Sequence, residues 1–435
     1  MSCCHHYDLV PEGDYAFSIV TTPIIFGRGC FQEIGERARE LGMSKIALFT
    51  DRRVGAQEFF RDILVNLRSA GLTVVVFDEV SVEPTDASVK KAIEFATDEA
   101  FDGFISVGGG SVIDTCKAAN VYSTYPAPLL TYVNGPIGEG QAIPGDLKPH
   151  ISCPTTSGTG SESTGIIVFD LLEEKAKTGI SDIKIKPNLA LVDPVVMDTL
   201  PSQVLAYSGF DVLSHALESF TAKPFTQRKA PTSGMKRPLS QGANPWSDIG
   251  CREALRLVGA NLDQAVNNSE DTDAREQMLW ASTLAGVGFG NAGCHLPHAM
   301  SYSVSGMVDQ FRPSEYPPEH ALIPHGMAVI LNAPAVFEFT STFSPERHLE
   351  GAALLGADMT GATLDDAGEV LSKQILDLMK KTGIPNGLCG VGYSQDDVNH
   401  LVEGALPQQR LIGNAPKAVD GLQLKSLYEK ALRYW

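Results

Sequence analysis

The sequence has little of what marks a membrane, secreted or nucleic-acid-binding chain. No apolar run approaches the roughly 20 residues of a membrane-spanning helix. Basic residues are in deficit, 34 Lys and Arg against 52 Asp and Glu, which leaves a net charge of −18. Such a surface repels phosphate backbones and anionic lipid, so neither nucleic acid nor membrane is expected as a partner, and a small molecule is. The 8 cysteines are scattered, with only Cys3 and Cys4 close together, so neither a disulfide ladder nor a zinc-ribbon spacing is present, and reduced thiols are expected. The CCHH at residues 3–6 would have to order a frayed terminus to bind a metal and is set aside. The opening MSCCHHYDLVPEG has neither a basic stretch followed by an apolar core nor an Arg-rich amphipathic pattern. A soluble, cytoplasmic protein is the expectation.

What is present is enough apolar material for two cores. A length of 435 residues with 43% hydrophobic content points to two domains. Up to about residue 200, β-rich runs alternate with amphipathic stretches: KIALFT (45–50), a helical 56–70, TVVVFDEV (73–80), a helical 86–99, FDGFISVGGG (101–110), then ISCPTT (151–156) and LALVDP (189–194). That alternation predicts a parallel sheet built from βαβ units. Beyond Pro201 the strands largely stop, and 202–222, 247–267 and 272–290 show helical periodicity. The expected domains are therefore 1–200, α/β, and 201–435, helical. Two stretches rich in turn residues, 223–245 and 307–326, read as excursions between helices.

Two stretches have the composition of a phosphate cradle. SVGGGSVIDTCKAA (106–119) puts Gly108, Gly109, Gly110 and Ser111 where a strand hands over to a helix, with Asp114 one turn on. Glycines there let backbone N–H groups approach phosphate oxygens, and the helix N-terminus adds partial positive charge. The other reading is a tight βα turn without ligand. PTTSGTGSES (154–163) follows the next strand with Thr155, Thr156, Ser157 and Thr159, small hydroxyl residues suited to lining a nucleotide or simply forming a loop. Asp51 ends the strand KIALFT, where a carboxylate either accepts from an adenosine ribose and disfavours a 2′-phosphate, or starts a turn. GFGNAG (288–293) also fits G-x-G-x-x-G, but it follows a helical segment rather than a strand, so close helix packing is the better account.

GFDVLSHALES (209–219) sets Asp211 and His215 four residues apart on one helical face, where a carboxylate and an imidazole can meet at one point. By itself the pair also reads as a cap and a packed core histidine. CHLPHAMSYS (294–303) and IPHGMAV (323–329) add His295, His298 and His325. One carboxylate with three neutral imidazoles suits Fe(II) or Zn(II) and leaves a coordination position open.

The ordered set GGGSVIDTCKA, PTTSGTGSE, GFDVLSHALES, HAMSY and PHGMAV, spread over nearly the whole chain, resembles the iron-containing (group III) alcohol dehydrogenase family. A narrower likeness within it is carried by VEPTDAS (82–88), DTCKAAN (114–120), RPLSQGANPWSDI (237–249), GFGNAGCHLPHAMSY (288–302) and FSPERHLEGAALLGAD (343–358). The resemblance implies the dehydroquinate synthase-like fold: an N-terminal dinucleotide-binding domain with a parallel sheet, and an all-α C-terminal domain holding a metal. It implies NAD as cofactor and a divalent metal, iron ahead of zinc, held by Asp211, His215, His298 and His325. His295 is then left beside the ligands. Tyr302 stands where many family members have a histidine, so it either relays a proton or lines the pocket. Lys177 in EEKAKTGI matches a lysine that the family keeps beside the substrate.

The reaction implied is hydride transfer between a hydroxyacid or alcohol and the nicotinamide. The narrower likeness implies a bound nicotinamide reduced by a hydroxyacid such as 4-hydroxybutyrate and reoxidised by an oxoacid such as 2-oxoglutarate. Carboxylate substrates need cations, and Arg228, Lys229, Lys236 and Arg237 in the first excursion join Lys177 as candidates. A homo-oligomer, dimer or higher, is expected. The alternatives are an NAD-dependent alcohol dehydrogenase using free cofactor on small uncharged substrates, a dehydroquinate synthase-like lyase, and a metal- or nucleotide-binding protein without catalysis.

Overall fold

The computed structural model describes residues 6–173, 176–234, 237–316 and 321–435, so Cys3, Cys4, His5 and Lys236 lie outside the described residues. The chain divides into two compact units, Thr21–Leu200, and Pro201–Trp435 together with Met1–Val20.

The first unit is built on a six-stranded sheet. Its strands are β1 (Ile24–Phe26), β2 (Lys45–Phe49), β3 (Thr73–Phe77), β4 (Gly103–Gly108), β5 (His150–Pro154) and β8 (Leu189–Val192), in the spatial order β1-β8-β5-β4-β2-β3. All five pairings are parallel. The central strands are buried on both faces, which is why GFISVG and HISCP are not alternating in polarity. The chain leaves β2 toward β3 on one side, and β4 lies on the other. The strand order thus reverses between β2 and β4, and an open α/β sheet holds ligands beyond the carboxyl ends of its strands at such a point.

The crossover helices are α1 (Ile34–Glu40), α2 (Arg52–Gly55), α3 (Glu58–Ser69), α4 (Asp86–Asp98) and α5 (Gly110–Thr124). In α3, Phe59, Phe60, Ile63 and Leu67 form the buried stripe that its period predicts. In α4, Thr85 and Ser88 form a reciprocal capping box, which fixes the start of the helix. An aromatic core of Phe49, Phe77, Phe95, Phe101 and Phe104 lies between the sheet and these helices. A second core forms around the antiparallel hairpin β6 (Ile166–Leu171) and β7 (Ala176–Ser181). The sequence pattern did not indicate that hairpin: β7 reads AKTGIS, and its lysine and glycine mask the strand signal.

The second unit is helical. It opens with α6 (Ser202–Thr221), α7 (Pro245–Asn267), α8 (Thr272–Ala292), α9 (Leu296–Gly306) and α10 (His325–Ile330). Helix α6 packs against α7, α8 and α10 and is buried almost end to end, its polar Asp211, His215 and Glu218 included. Asn244 and Asp271 cap α7 and α8 by accepting from Ser247 and Ala274. GFGNAG falls at the end of α8, with Gly288 against Cys251 of α7, the close packing expected from its helical context.

Residues 6–20, expected with the sheet domain on sequence grounds, cluster instead with the helical unit. Specific side chains hold them there. Arg237 donates to both oxygens of Asp14 at 2.9 Å, Ser18 exchanges hydrogen bonds with the Gln241 amide, and the Tyr7 hydroxyl donates to Asp248 at 2.6 Å.

Candidate functional site

Three stretches singled out for cofactor binding lie at the carboxyl edge of adjacent parallel strands: Asp51 after β2, Gly108–Ser111 at the end of β4, and Thr155–Thr159 after β5. The last two touch. The Thr155 N–H donates to the Gly108 carbonyl at 3.0 Å, and a Cβ on Gly110 would sit 2.7 Å from the methyl of Thr159, so only glycine allows the approach. Helix α5 starts there with Gly109 as its cap, leaving its first N–H groups at the sheet edge. The Ser111 hydroxyl accepts from the Glu83 N–H at 3.1 Å. Ser157 is fully buried, and Thr156 and Thr159 are half-buried.

Two of the expected cofactor residues have local partners. Asp51 caps α2, one oxygen accepting from the N–H groups of Arg53 and Val54 at 2.8 and 3.0 Å. Asp114 accepts from the Val168 N–H at 2.9 Å and pairs with Lys117 at 3.5 Å, tying α5 to β6; burial raises its carboxyl despite that lysine. In this structure the carboxylate serves the hairpin.

In the helical unit, Asp211, His215 and Glu218 follow one another at i, i+4 and i+7 along α6. The Nε2 atoms of His215, His298 and His325 stand 3.7, 3.6 and 3.9 Å from a single atom, Asp211 Oδ1. Those spacings are too long for hydrogen bonds. Metal–ligand distances of about 2.0–2.2 Å put the donors of a tetrahedral site roughly 3.3–3.6 Å apart, close to what is found. Asp211 Oδ1 and His298 Nε2 are buried without a hydrogen-bond partner among the described residues, a costly state for two polar atoms that a cation between them relieves. The donor set and its spacing fit a divalent metal.

Neighbouring residues create this convergence. Gly326 follows His325, and a Cβ there would lie 2.0 Å from the Tyr207 carbonyl oxygen and 2.9 Å from Asp211 Cβ; its absence lets α10 press onto α6. His215 is stacked on Phe289 at 3.9 Å between ring centroids, which fixes the plane of its ring. Glu218, which the sequence reading missed, orients the third imidazole. Its Oε1 accepts from His298 Nδ1 at 2.6 Å and its Oε2 from the His295 N–H at 2.6 Å. With Nδ1 donating, Nε2 of His298 points back at Asp211, the carboxylate–imidazole relay that commonly backs a metal ligand. Its i+7 spacing from Asp211 was the available signal.

Electrostatics follow from the same packing. Burial alone would raise the Asp211 carboxyl, but His215, His325 and His298 outweigh it and hold it at about 2. Burial also favours protonation of Glu218, and His298 overrides it, keeping the carboxyl below its ordinary value. Burial drops His215 to about 4, against the pull of Asp211, so its imidazole is neutral. A second group, His215, Cys294 and His298, has donor atoms within 4.8 Å of one another, and the Cys294 thiol beside the cluster is raised by burial.

The three residues expected in catalysis are disposed differently. Nδ1 of His295 accepts from the Leu296 N–H at 2.7 Å, and its Nε2 lies 3.1 Å from the Thr221 hydroxyl. Both ring nitrogens are engaged, burial lowers the ring to about 4, and the imidazole caps the start of α9. Lys177 is buried in the sheet unit with its ammonium 2.7 Å from Glu83 and 3.0 Å from Asp170. Those carboxylates raise it against the effect of burial, so in this structure the cation is paired within the sheet unit. Tyr302 is buried one turn after His298 on α9. Of the excursion cations, Arg237 is paired with Asp14, Arg228 donates to Asn414 at 3.1 Å and to the Ser240 carbonyl, and Lys229 is exposed.

Residues 21–194 match the family model described as iron-containing alcohol dehydrogenase, and residues 238–432 match the C-terminal model of the same family. The chain is 47% identical over 437 residues to a Xenopus laevis protein named hydroxyacid-oxoacid transhydrogenase, mitochondrial, covering 99% of this chain and 94% of that one. Among solved structures, a 1,3-propanediol oxidoreductase is 29% identical with a TM-score of 0.83, covering 96% of this chain and 100% of that one. A sulfoacetaldehyde reductase from Bifidobacterium kashiwanohense, in complex with NAD+, is 25% identical with a TM-score of 0.78, covering 96% and 99%. The mouse, rat and human relatives are also named mitochondrial. Those names overturn the cytoplasmic expectation, which rested on a missing leader pattern; transit peptides are removed from mature chains, so that pattern does not report the compartment.

Proposed function

Because the chain belongs to the iron-containing alcohol dehydrogenase family and is a metal-dependent oxidoreductase, we propose that it is a hydroxyacid-oxoacid transhydrogenase, passing hydride from a hydroxyacid to an oxoacid through NAD. Similarity to the frog relative over nearly the full length supports the substrate class. The convergence of three imidazole nitrogens on one buried carboxylate oxygen is the observation that carries the metal centre.

Asp211, His215, His298 and His325 would hold the cation; a mixed carboxylate–imidazole set accepts Fe(II) and Zn(II) alike, and membership of an iron-containing family puts Fe(II) ahead. When bound, the metal polarises the substrate oxygen as a Lewis acid and the nicotinamide accepts or returns the hydride. The chain's own part is to preorganise that chemistry. Glu218 retains the proton on His298 Nδ1 and so keeps Nε2 available as a donor. Phe289 prevents the His215 ring from turning. Asp211 stays ionised because three imidazoles surround it, and its charge offsets that of a cation. The side chain of His325 is one-quarter exposed while those of Asp211, His215 and His298 are buried, so substrate would approach from the His325 side.

In the sheet unit, the glycine turn before α5 and the hydroxyl loop after β5 supply backbone N–H and hydroxyl groups for pyrophosphate. Asp51 would accept from the adenosine ribose and repel a 2′-phosphate, which favours NAD over its phosphorylated form.

The test is turnover of 4-hydroxybutyrate with 2-oxoglutarate by purified, iron-loaded protein without added nicotinamide. Stoichiometric appearance of the oxidised hydroxyacid and the reduced oxoacid is expected. Turnover that requires added NAD and needs no oxoacid would make the protein an ordinary dehydrogenase instead.

A further inference from the structure

A cavity of about 290 Å³ lies within the helical unit, walled by the excursion after α6, the N-terminal arm and Gly413. It shares no lining residue with the metal cluster. Three cationic residues line it, Lys223, Arg228 and Lys229, against one carboxylate, Asp14, whose two oxygens are already held by Arg237 at 2.9 Å. Among the described residues, Lys223 Nζ donates only to the Gly413 carbonyl at 3.2 Å, and Arg228 to the Ser240 carbonyl and Asn414, all neutral acceptors that leave both charges unpaired by a carboxylate. In a chain of net charge −18, a concentration of positive charge around one hollow is unusual. Phe225, Pro231 and Pro238 supply an apolar wall between the cations.

The cavity is set by backbone hydrogen bonds rather than by loose loop conformation. Asp14 N–H donates to the Arg228 carbonyl at 2.8 Å, Ala230 N–H to the Glu12 carbonyl at 2.9 Å, and Lys223 N–H to the Asn414 carbonyl at 3.0 Å. The Gln241 amide is clamped to both backbone groups of Ser18. The cations are therefore held near each other at a cost. Burial lowers the pKa of Lys223, and the nearby Arg228 lowers it further; burial lowers that of Arg228 too, against the pull of Asp14. An anion among them would offset both effects.

We propose that this cavity is a binding site for a small organic carboxylate, separate from the metal centre. A water needs only about 10–15 Å³ of such cavity volume, so the cavity has ample room for a short-chain mono- or dicarboxylic acid. The cations pair with carboxylate groups and the proline and phenylalanine wall packs on the carbon chain between them. Inorganic phosphate has the charge but no apolar part, so the same pocket holds it more weakly.

Succinate is a suitable probe because it has no hydroxyl to oxidise and no ketone to reduce. Calorimetric titration of the full-length, metal-loaded protein with succinate is expected to show saturable binding that weakens as salt is raised. The double variant K223Q/K229Q should bind about tenfold or more weakly. K229Q alone, at an exposed position whose loss leaves the fold intact, should weaken it by about threefold, since one of the charge-assisted contacts is lost. The variant H298A should bind succinate as the parent does. Unchanged affinity in both lysine variants, or loss in H298A with retention in the lysine variants, would assign the anion to the metal centre and overturn the proposal. So would phosphate binding tighter than succinate, or no binding of either at millimolar concentration.

Discussion

Glu218 is the residue whose replacement most directly tests the metal-centre geometry. It is fully buried, its Oε1 accepts from His298 Nδ1 at 2.6 Å, and its Oε2 accepts from the His295 N–H at 2.6 Å. E218Q keeps the shape and one neutral acceptor but removes the charge and turns one oxygen into a donor. A hydrogen bond to an ionised group contributes about 1.5–3 kcal/mol, and no solvent reaches this one to screen it. At about 1.4 kcal/mol per tenfold, the loss should appear as metal affinity about 10–100-fold weaker, the range that removal of such supporting partners produces elsewhere. The assay is competition of Fe(II) or Zn(II) between the protein and a chelator at fixed pH, together with the melting temperature of the metal-free form. Metal affinity within about twofold of the parent, with an unchanged metal-free melting temperature, would refute the claim that Glu218 aims His298. E218A should fare worse, since it leaves two buried donors unsatisfied, at about 1–3 kcal/mol each.

H298A should lose metal and activity together, checked by metal analysis and turnover; a variant that retains stoichiometric metal would transfer the ligand role elsewhere, with Cys294 the nearest candidate. D51N keeps an oxygen to cap α2 but removes the charge, so the ratio of NAD to NADP affinity should fall severalfold, and equal ratios in variant and parent would count against Asp51 at the ribose. Burial raises Glu162 from 4.5 to about 7, so the folded chain keeps a proton that the unfolded chain releases. That contribution is complete below about pH 4.5 and is lost as pH rises through 7; at about 1.36 kcal/mol per unit it amounts to roughly 3 kcal/mol. E162Q should flatten denaturant-measured stability across this window and be the more stable protein at pH 8, whereas parallel curves would show that Glu162 titrates normally.

The residues that tied α5 and the start of α9 down show where sequence reasoning stopped. Asp114 sits in a motif that reads as cofactor-binding, but its carboxylate accepts from Val168 of a hairpin whose strands carry no clear alternation. His295 lies near His298 and reads as its helper, but its ring nitrogens are used by Leu296 and Thr221. Lys177 matched a family lysine, but Glu83, 94 residues earlier, and Asp170 across the hairpin already hold its charge. Apart from Leu296, the residue next to His295, these partners are far along the chain or belong to an element that local pattern does not reveal.

Alone, the sequence determined the alternation that makes a parallel sheet, the glycine and hydroxyl stretches at its strand ends, the helical second half, and one carboxylate with four imidazoles as candidate ligands, from which the family resemblance selected three. These depend on period, turn chemistry and residue type, which are local properties. Only the tertiary structure decided that three Nε2 atoms meet at one Asp211 oxygen, that Glu218 stands behind His298, and that residues 6–20 cluster with the helices. Those outcomes depend on how closely α6, α9 and α10 pack, and that closeness rests on contacts such as Gly326 against Tyr207, between positions more than a hundred residues apart in the chain.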